Sequence, residues 1–235
     1  RHGGMNAVPV VFQQRHVIHV LPFLSETHGI FILIFNHIHH LSLDRKMSSL
    51  IRSQGPVQLI KRRKQHLHSY LCASIISQQL STKVASVIHQ RFLGLFGGTE
   101  PEPRQILDTD DMLLRSIGLS AAKTGYIKSV AQFELDQGMG LKKIGKWSDE
   151  EIIAYLTQIR GVGRWTVEML LIFALGREDV FAVDDLGIRN AMIGLYRIKS
   201  VDPKVLRSSM LRTSEPWRPY RSYACLHLWR WKDGQ

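Results

Sequence analysis

From Leu41 onward the sequence predicts an all-α fold. Apolar residues recur there at intervals of three and four, the runs open on capping residues and close on glycine, and no convincing strand or internal repeat interrupts them. Val84, Val87, Ile88, Phe92 and Leu95 mark one helix, ended by Gly97-Gly98. Two more are expected over 112–118 and 121–135. Ser148-x-x-Glu151 is a capping box, which satisfies two backbone N–H groups at a helix start, and it opens a helix with Ile152, Ile153 and Leu156 on its apolar face. A helix over 164–175 follows, striped by Val167, Leu170, Leu171 and Ala174. Further helices are expected over 186–195, 203–212 and 218–231, with Pro203 and Pro219 as early-turn residues.

At 235 residues the chain forms one large domain or two small ones, with ample material for a core. Lys and Arg number 31 against 20 Asp and Glu, a net charge of +11. Residues 1–39 hold only Arg1, Arg15 and Glu26 as charges, so nearly all of the excess lies in 40–235. Such a balance points to nucleic acid or an anionic membrane surface as partner. No apolar run approaches the roughly 18–20 residues that span a bilayer. The longest, Ile30 to Phe35, is broken by Asn36 and His37, and no cleavable signal is evident, so no membrane association is expected. Cys72 and Cys225 sit in apolar helical stretches and read as core residues; neither disulfide nor metal spacing is present. That fits a reducing compartment: cytoplasm, nucleoid-associated in a bacterium and nuclear in a eukaryote. Residues 1–39 read as an N-terminal extension with two weak strands, and 40–235 as the functional domain. Seven of the eleven histidines fall in residues 1–40, but their irregular spacing argues against a metal site. The extension can also be sequence upstream of the true start, with Met47 available as an internal one.

Between two of the helices lies Ile159-Arg160-Gly161-Val162-Gly163-Arg164-Trp165-Thr166. Two glycines around one apolar residue make a tight turn whose backbone can approach another surface closely. The helix that follows offers N–H groups at its positive end, an anion site suited to a DNA phosphate, while Val162 plugs the turn into the core. Alone, Gly-x-Gly serves equally well as a plain helix connection. Downstream, Asp184-Asp185-Leu186-Gly187-Ile188-Arg189 opens a new helix after a short bridge, 178–183. Aspartate is a preferred N-cap, yet two adjacent aspartates need only one cap, so one carboxylate can cap and the other face a cleft.

These motifs resemble the helix-hairpin-helix DNA glycosylase superfamily, and within it the 3-methyladenine DNA glycosylase II branch. The resemblance spans roughly 40–232 and rests on five elements in order: Ile76 to Ser81, Gly118 to Lys123, the hairpin with Trp165, Val183-Asp184-Asp185, and Tyr223 through Trp229. It implies two helical subdomains with an active-site cleft between them. It makes Asp185 the catalytic carboxylate and Asp184 its structural neighbour. Trp165 stands where lyase-competent relatives carry a nucleophilic lysine. Trp229 matches a wall of the base pocket, joined by Met169 and Tyr223. Gln78, Gln79 and Ser81 match the loop that enters the DNA stack. Gly161, Val162, Gly163, Arg164 and Thr166 match the phosphate-binding hairpin, and Lys123 a segment that meets the backbone on the other side. The four closely spaced cysteines of iron–sulfur relatives are missing, and residues 1–39 are too short for the β domain of larger members.

The resemblance implies a base excision repair enzyme that flips an alkylated purine out of double-stranded DNA, hydrolyses its glycosidic bond and leaves an abasic site. No cofactor and no catalytic metal are expected, though the carbonyls of Thr157, Ile159 and Val162 match a monovalent-ion site. Without an amine at 165 no Schiff base forms, so the enzyme should be monofunctional, and it is expected to be a monomer. Two alternatives stand beside this reading: a non-catalytic helix-hairpin-helix DNA-binding module, and a glycosylase for deaminated or oxidised bases.

Overall fold

The computed structural model describes residues 36–59, 66–199 and 202–234. Every regular element among the described residues is helical. In chain order these are α1 (Arg45–Gln54), α2 (Leu67–Ser77), α3 (Thr82–Gly94), α4 (Pro103–Asp108), α5 (Asp111–Ser116) and α6 (Ala121–Asp136). Then come α7 (Leu141–Ile144), α8 (Asp149–Leu156), α9 (Arg164–Phe173), α10 (Leu186–Tyr196), α11 (Pro203–Ser214), a 3₁₀ turn (Glu215–Trp217) and α12 (Arg221–Asp233). The described residues divide into two compact units, one of 66–170 and one of 36–59 with 171–199 and 202–234.

In the first unit α2 is the central helix. Leu71, Ile75 and Ile76 are fully buried, and Tyr70, Cys72 and Ala73 nearly so, and with His68, Ser69 and Ser74 the helix is buried almost all round. It packs against α3 and α6, and α6 also packs against α4 and α5 through Ile127, Val130 and Ala131. Side-chain caps start these helices: Ser81 for α3, Asp110 for α5, Ser120 for α6, and Ser148 with Glu151 for α8. Each such cap contributes about 1 kcal/mol.

In the second unit α12 packs against α10 and α1. Asp44 ties three pieces together. Its Oδ1 accepts the N–H groups of Lys46 and Met47 at the start of α1, while Oδ2 accepts Tyr196 Oη–H at 2.9 Å and Trp217 Nε1–H at 3.1 Å. Asp179 does the same for the bridge before α10, taking Arg221 Nε–H at 2.7 Å and Arg218 Nη1–H at 2.7 Å. Ser222 Oγ accepts Val180 N–H at 2.9 Å, so the 178–183 bridge is fastened along the start of α12.

Pro203 sits in the first turn of α11 as expected. Pro219 does not lie inside the last helix: a 3₁₀ turn intervenes and α12 begins at Arg221. Residues 36–41 are helical, and His37, 2% exposed, stacks on Tyr223 at 3.9 Å. These residues therefore belong to the second unit rather than to an extension; the two strands expected earlier lie outside the described residues. Cys72 and Cys225 are buried and not joined in a disulfide, as core residues should be. No helix among the described residues is long and apolar enough to cross a membrane.

Candidate active site and DNA-facing loops

Asp185 is itself the N-cap of α10. Its Oδ1 accepts Ile188 N–H at 2.9 Å and the indole N–H of Trp229 at 2.8 Å, and the residue is 7% exposed. The division of labour expected between the two aspartates is thus different in the structure: one carboxylate both caps and forms the candidate site, because both donors converge on a single oxygen of Asp185. Asp184 is exposed and meets Arg207 Nε at 3.2 Å. Three features fix Asp185. The bridge before it is buried through Val180, Phe181, Ala182 and Val183; Trp229 is itself buried and tilted against Phe173 at 5.6 Å; and Gly187 leaves no room, since a Cβ there would lie 3.1 Å from both Asp185 Oδ1 and Trp229 Cδ1. Gly187 was missed from sequence, although it follows the aspartate pair by two positions.

Tyr223, expected beside Trp229, is engaged elsewhere along α12: its hydroxyl donates to Glu178 Oε1 at 3.2 Å and its ring stacks on His37. Burial, with Glu178 adjacent, pushes its phenol well above the usual range. Trp165 and Met169 belong to the first unit. Trp165 is half-buried; Met169 is buried, and its carbonyl accepts the Tyr70 hydroxyl at 3.0 Å.

The hairpin in the first unit has the conformation the glycines imply. Gly161 has φ +91°, and a Cβ there would fall 2.2 Å from Tyr126 Cγ, so only glycine fits. Val162 is buried, as expected of a plug. At Gly163 a Cβ would meet nothing within 4 Å. The need for glycine at 163 therefore does not come from the protein's own interior. Thr166 is buried. Arg164 is exposed and paired on the surface of the unit: its guanidinium bonds Glu150 through Nη1 at 3.0 Å and through Nη2, and the buried Glu168 Oε1 through Nε at 3.0 Å. The two carboxylates raise its already high pKa further.

The structure brings Gln78, Lys123 and Gly161 together. Lys123 Nζ donates to the carbonyls of Ile76 at 2.8 Å and Gln78 at 2.7 Å, and burial lowers its pKa. Gln78 Nε2 donates to Gly161 O at 3.3 Å. Gln79 is exposed with φ +58°, a left-handed conformation few non-glycine residues adopt, and Ser81 caps α3. Tyr126, which underlies the hairpin, gave no sequence signal because a helix aromatic reads as ordinary core.

The carbonyls of Thr157, Ile159 and Val162 cluster by sequence at the end of α8, where Ile159 O also accepts Val162 N–H at 3.0 Å. Neutral carbonyl donors suit a monovalent cation. No group of His, Cys, Asp or Glu that could hold a metal occurs among the described residues.

The family pattern of HhH-GPD superfamily base excision DNA repair proteins matches residues 72–218. The chain belongs to this superfamily. It is 37% identical over 196 residues to DNA-3-methyladenine glycosylase 1 of Schizosaccharomyces pombe, with 82% of this chain and 85% of that protein covered. Among solved structures, the Schizosaccharomyces pombe 3-methyladenine DNA glycosylase in complex with abasic DNA is 36% identical with a TM-score of 0.72, covering 83% of this chain and 95% of that one. A DNA-3-methyladenine glycosidase from Bacillus halodurans is 32% identical with a TM-score of 0.74, covering 84% and 89%.

Proposed function

We propose that the chain is a DNA-3-methyladenine glycosylase, a base excision repair enzyme that hydrolyses the N-glycosidic bond of alkylated purines in DNA. The observation that carries this reading is the buried Asp185 carboxylate, oriented by Ile188 N–H and Trp229 Nε1–H within a chain that also holds the hairpin. Departure of the base develops positive charge on the deoxyribose, as in other glycoside hydrolyses. A fixed carboxylate facing that sugar stabilises the charge without reorganising. N3- and N7-alkylated purines are cationic before they leave, so they need less help than normal bases. The electron-rich face of Trp229, bonded to Asp185, favours such cations, and Trp165 offers a second aromatic face.

Extruding the nucleotide costs a few kcal/mol of stacking and pairing. Phosphate contacts at the hairpin help supply it, the carbonyls of Thr157, Ile159 and Val162 would hold a monovalent ion that adds positive charge there, and the 78–81 loop fills the gap. Tryptophan at 165 supplies no amine, so the product is an intact strand with an abasic site, and the enzyme acts as a monomer.

The test is base release from duplexes carrying 3-methyladenine, 7-methylguanine, hypoxanthine or 8-oxoguanine. Wild type should release the alkylated bases and leave the strand uncut until alkali is added. Asp185→Asn should keep duplex affinity and lose roughly 10²–10³-fold in single-turnover rate, the range for deleting one preorganised electrostatic group. An Asn variant as active as wild type would remove the catalytic assignment and leave a DNA-holding module.

A further inference from the structure

Two of the side chains expected to touch DNA are turned inward, and the way they are turned links the two DNA-facing segments of the first unit. The last turn of α2 ends in carbonyls that carry a partial negative charge. The Lys123 ammonium, reaching across from α6, takes two of the oxygens in this region, those of Ile76 and Gln78. The Gln78 side chain then continues to the Gly161 carbonyl. One turn further along α6, Tyr126 lies directly beneath Gly161, and the Arg160 guanidinium sits over its ring at 5.7 Å. Helix α6 thus braces the 77–81 loop and the hairpin at once. Between the braced points stands Gln79, exposed and held at a positive φ that the loop must enforce.

We infer that Lys123 and Gln78 are positioning residues, a strut that fixes the 77–81 loop against the hairpin so that Gln79 is presented in one conformation to the space the flipped nucleotide vacates. With two of its three N–H donors on the Ile76 and Gln78 carbonyls, the ammonium is anchored to the loop end rather than free to follow a phosphate. A wedge must be rigid to offset the cost of opening the duplex, since any freedom it loses on insertion subtracts from binding. The inference rests on the proposed glycosylase function acting on double-stranded DNA.

The strut matters only where there is a stack to enter. Single-turnover release of 7-methylguanine from a duplex and from the same single strand therefore separates it from a general defect. For Lys123→Met, which keeps the aliphatic stem, the ratio of duplex to single-strand rate should fall roughly 10- to 100-fold, the equivalent of losing charge-assisted hydrogen bonds. For Gln78→Ala, which breaks only the link to the hairpin, it should fall roughly two- to tenfold. The fluorescence rise of 2-aminopurine placed beside the lesion, which reports unstacking, should shrink in parallel. The slope of log affinity against log salt should stay at the wild-type value for both variants. Should Lys123→Met instead lose about 0.9 from that slope, as expected for one phosphate contact, with the rate ratio unchanged, the lysine binds DNA directly and the strut is wrong. Rates that fall equally on both substrates would reduce it to ordinary stability. A wild-type protein releasing base from neither substrate would sink the glycosylase reading itself, a result distinct from either of these.

Discussion

At the scale of single residues, Asp185 carries two obligations. As an N-cap it satisfies Ile188 N–H, and as the candidate catalytic carboxylate it must keep a fixed aim. Asparagine caps as well as aspartate does, so Asp185→Asn should shift the melting midpoint little, while Asp185→Ala should cost about 1 kcal/mol as well as activity. Thermal unfolding of the two variants side by side checks this. Trp229→Phe keeps a ring but deletes the donor to Oδ1. A hydrogen bond to a charged group is worth about 1.5–3 kcal/mol, so kcat on alkylated duplex should drop roughly 10- to 100-fold with DNA affinity nearly unchanged. A Phe variant with wild-type kcat would show that the indole N–H does not orient the carboxylate. That the aspartate pair opens a helix was legible from its motif. That Asp185 takes both the Ile188 and the Trp229 N–H was not, because spacing shows that one cap is needed but not which of two neighbouring side chains turns back to make it.

At the scale of elements, the hairpin's two glycines answer to different masters. Gly161→Ala would place a Cβ against Tyr126 at a positive φ, and should destabilise the fold by about 2–4 kcal/mol from backbone and overpacking terms together. Gly163→Ala meets nothing inside the protein, so its midpoint should move by less than about 0.5 kcal/mol while duplex affinity weakens, because the Cβ intrudes where a phosphate must approach. Equal losses of stability at the two positions would contradict this split. The amphipathic helices were legible from sequence because one face is wet. Helix α2, the central one, reads only as an apolar helical stretch around Cys72 without bounds, since a helix buried all round shows no period. Arg164 and Lys123 are assigned to DNA by resemblance, and the structure adds partners within the unit, Glu150 and Glu168 for the first and the carbonyls of Ile76 and Gln78 for the second. Those partners lie in other turns of the chain and leave no local signal.

At the scale of the whole molecule, the net charge of +11 was legible and points to an anionic partner; it does not say which cations meet it. Arg207, Arg218 and Arg221, like Arg164, are engaged by carboxylates of their own units. Stability should also depend on pH through buried imidazoles. His227 is fully buried, and desolvation, with Arg230 nearby, pulls it down to about 3; burial lowers His68 and His89 too. A histidine depressed in the folded state stays neutral there while the unfolded chain takes up a proton below about pH 6.5. The stabilisation is therefore complete above that value and is lost as pH falls, at up to about 1.4 kcal/mol per pH unit for His227 until its folded pKa is reached. Urea midpoints should decline from pH 7 to pH 5 and the decline should soften in His227→Gln. A flat profile would mean that these imidazoles are accessible in the folded protein.

Both sulfhydryls of this chain are enclosed, and burial holds Cys72 well above the ordinary thiol range. A maleimide dye or spin label offered to the native fold should thus find no quick target. A single cysteine engineered at position 79 would then be labelled alone, with the natural pair left in place, turning this exposed loop position into an optical or paramagnetic reporter of DNA binding.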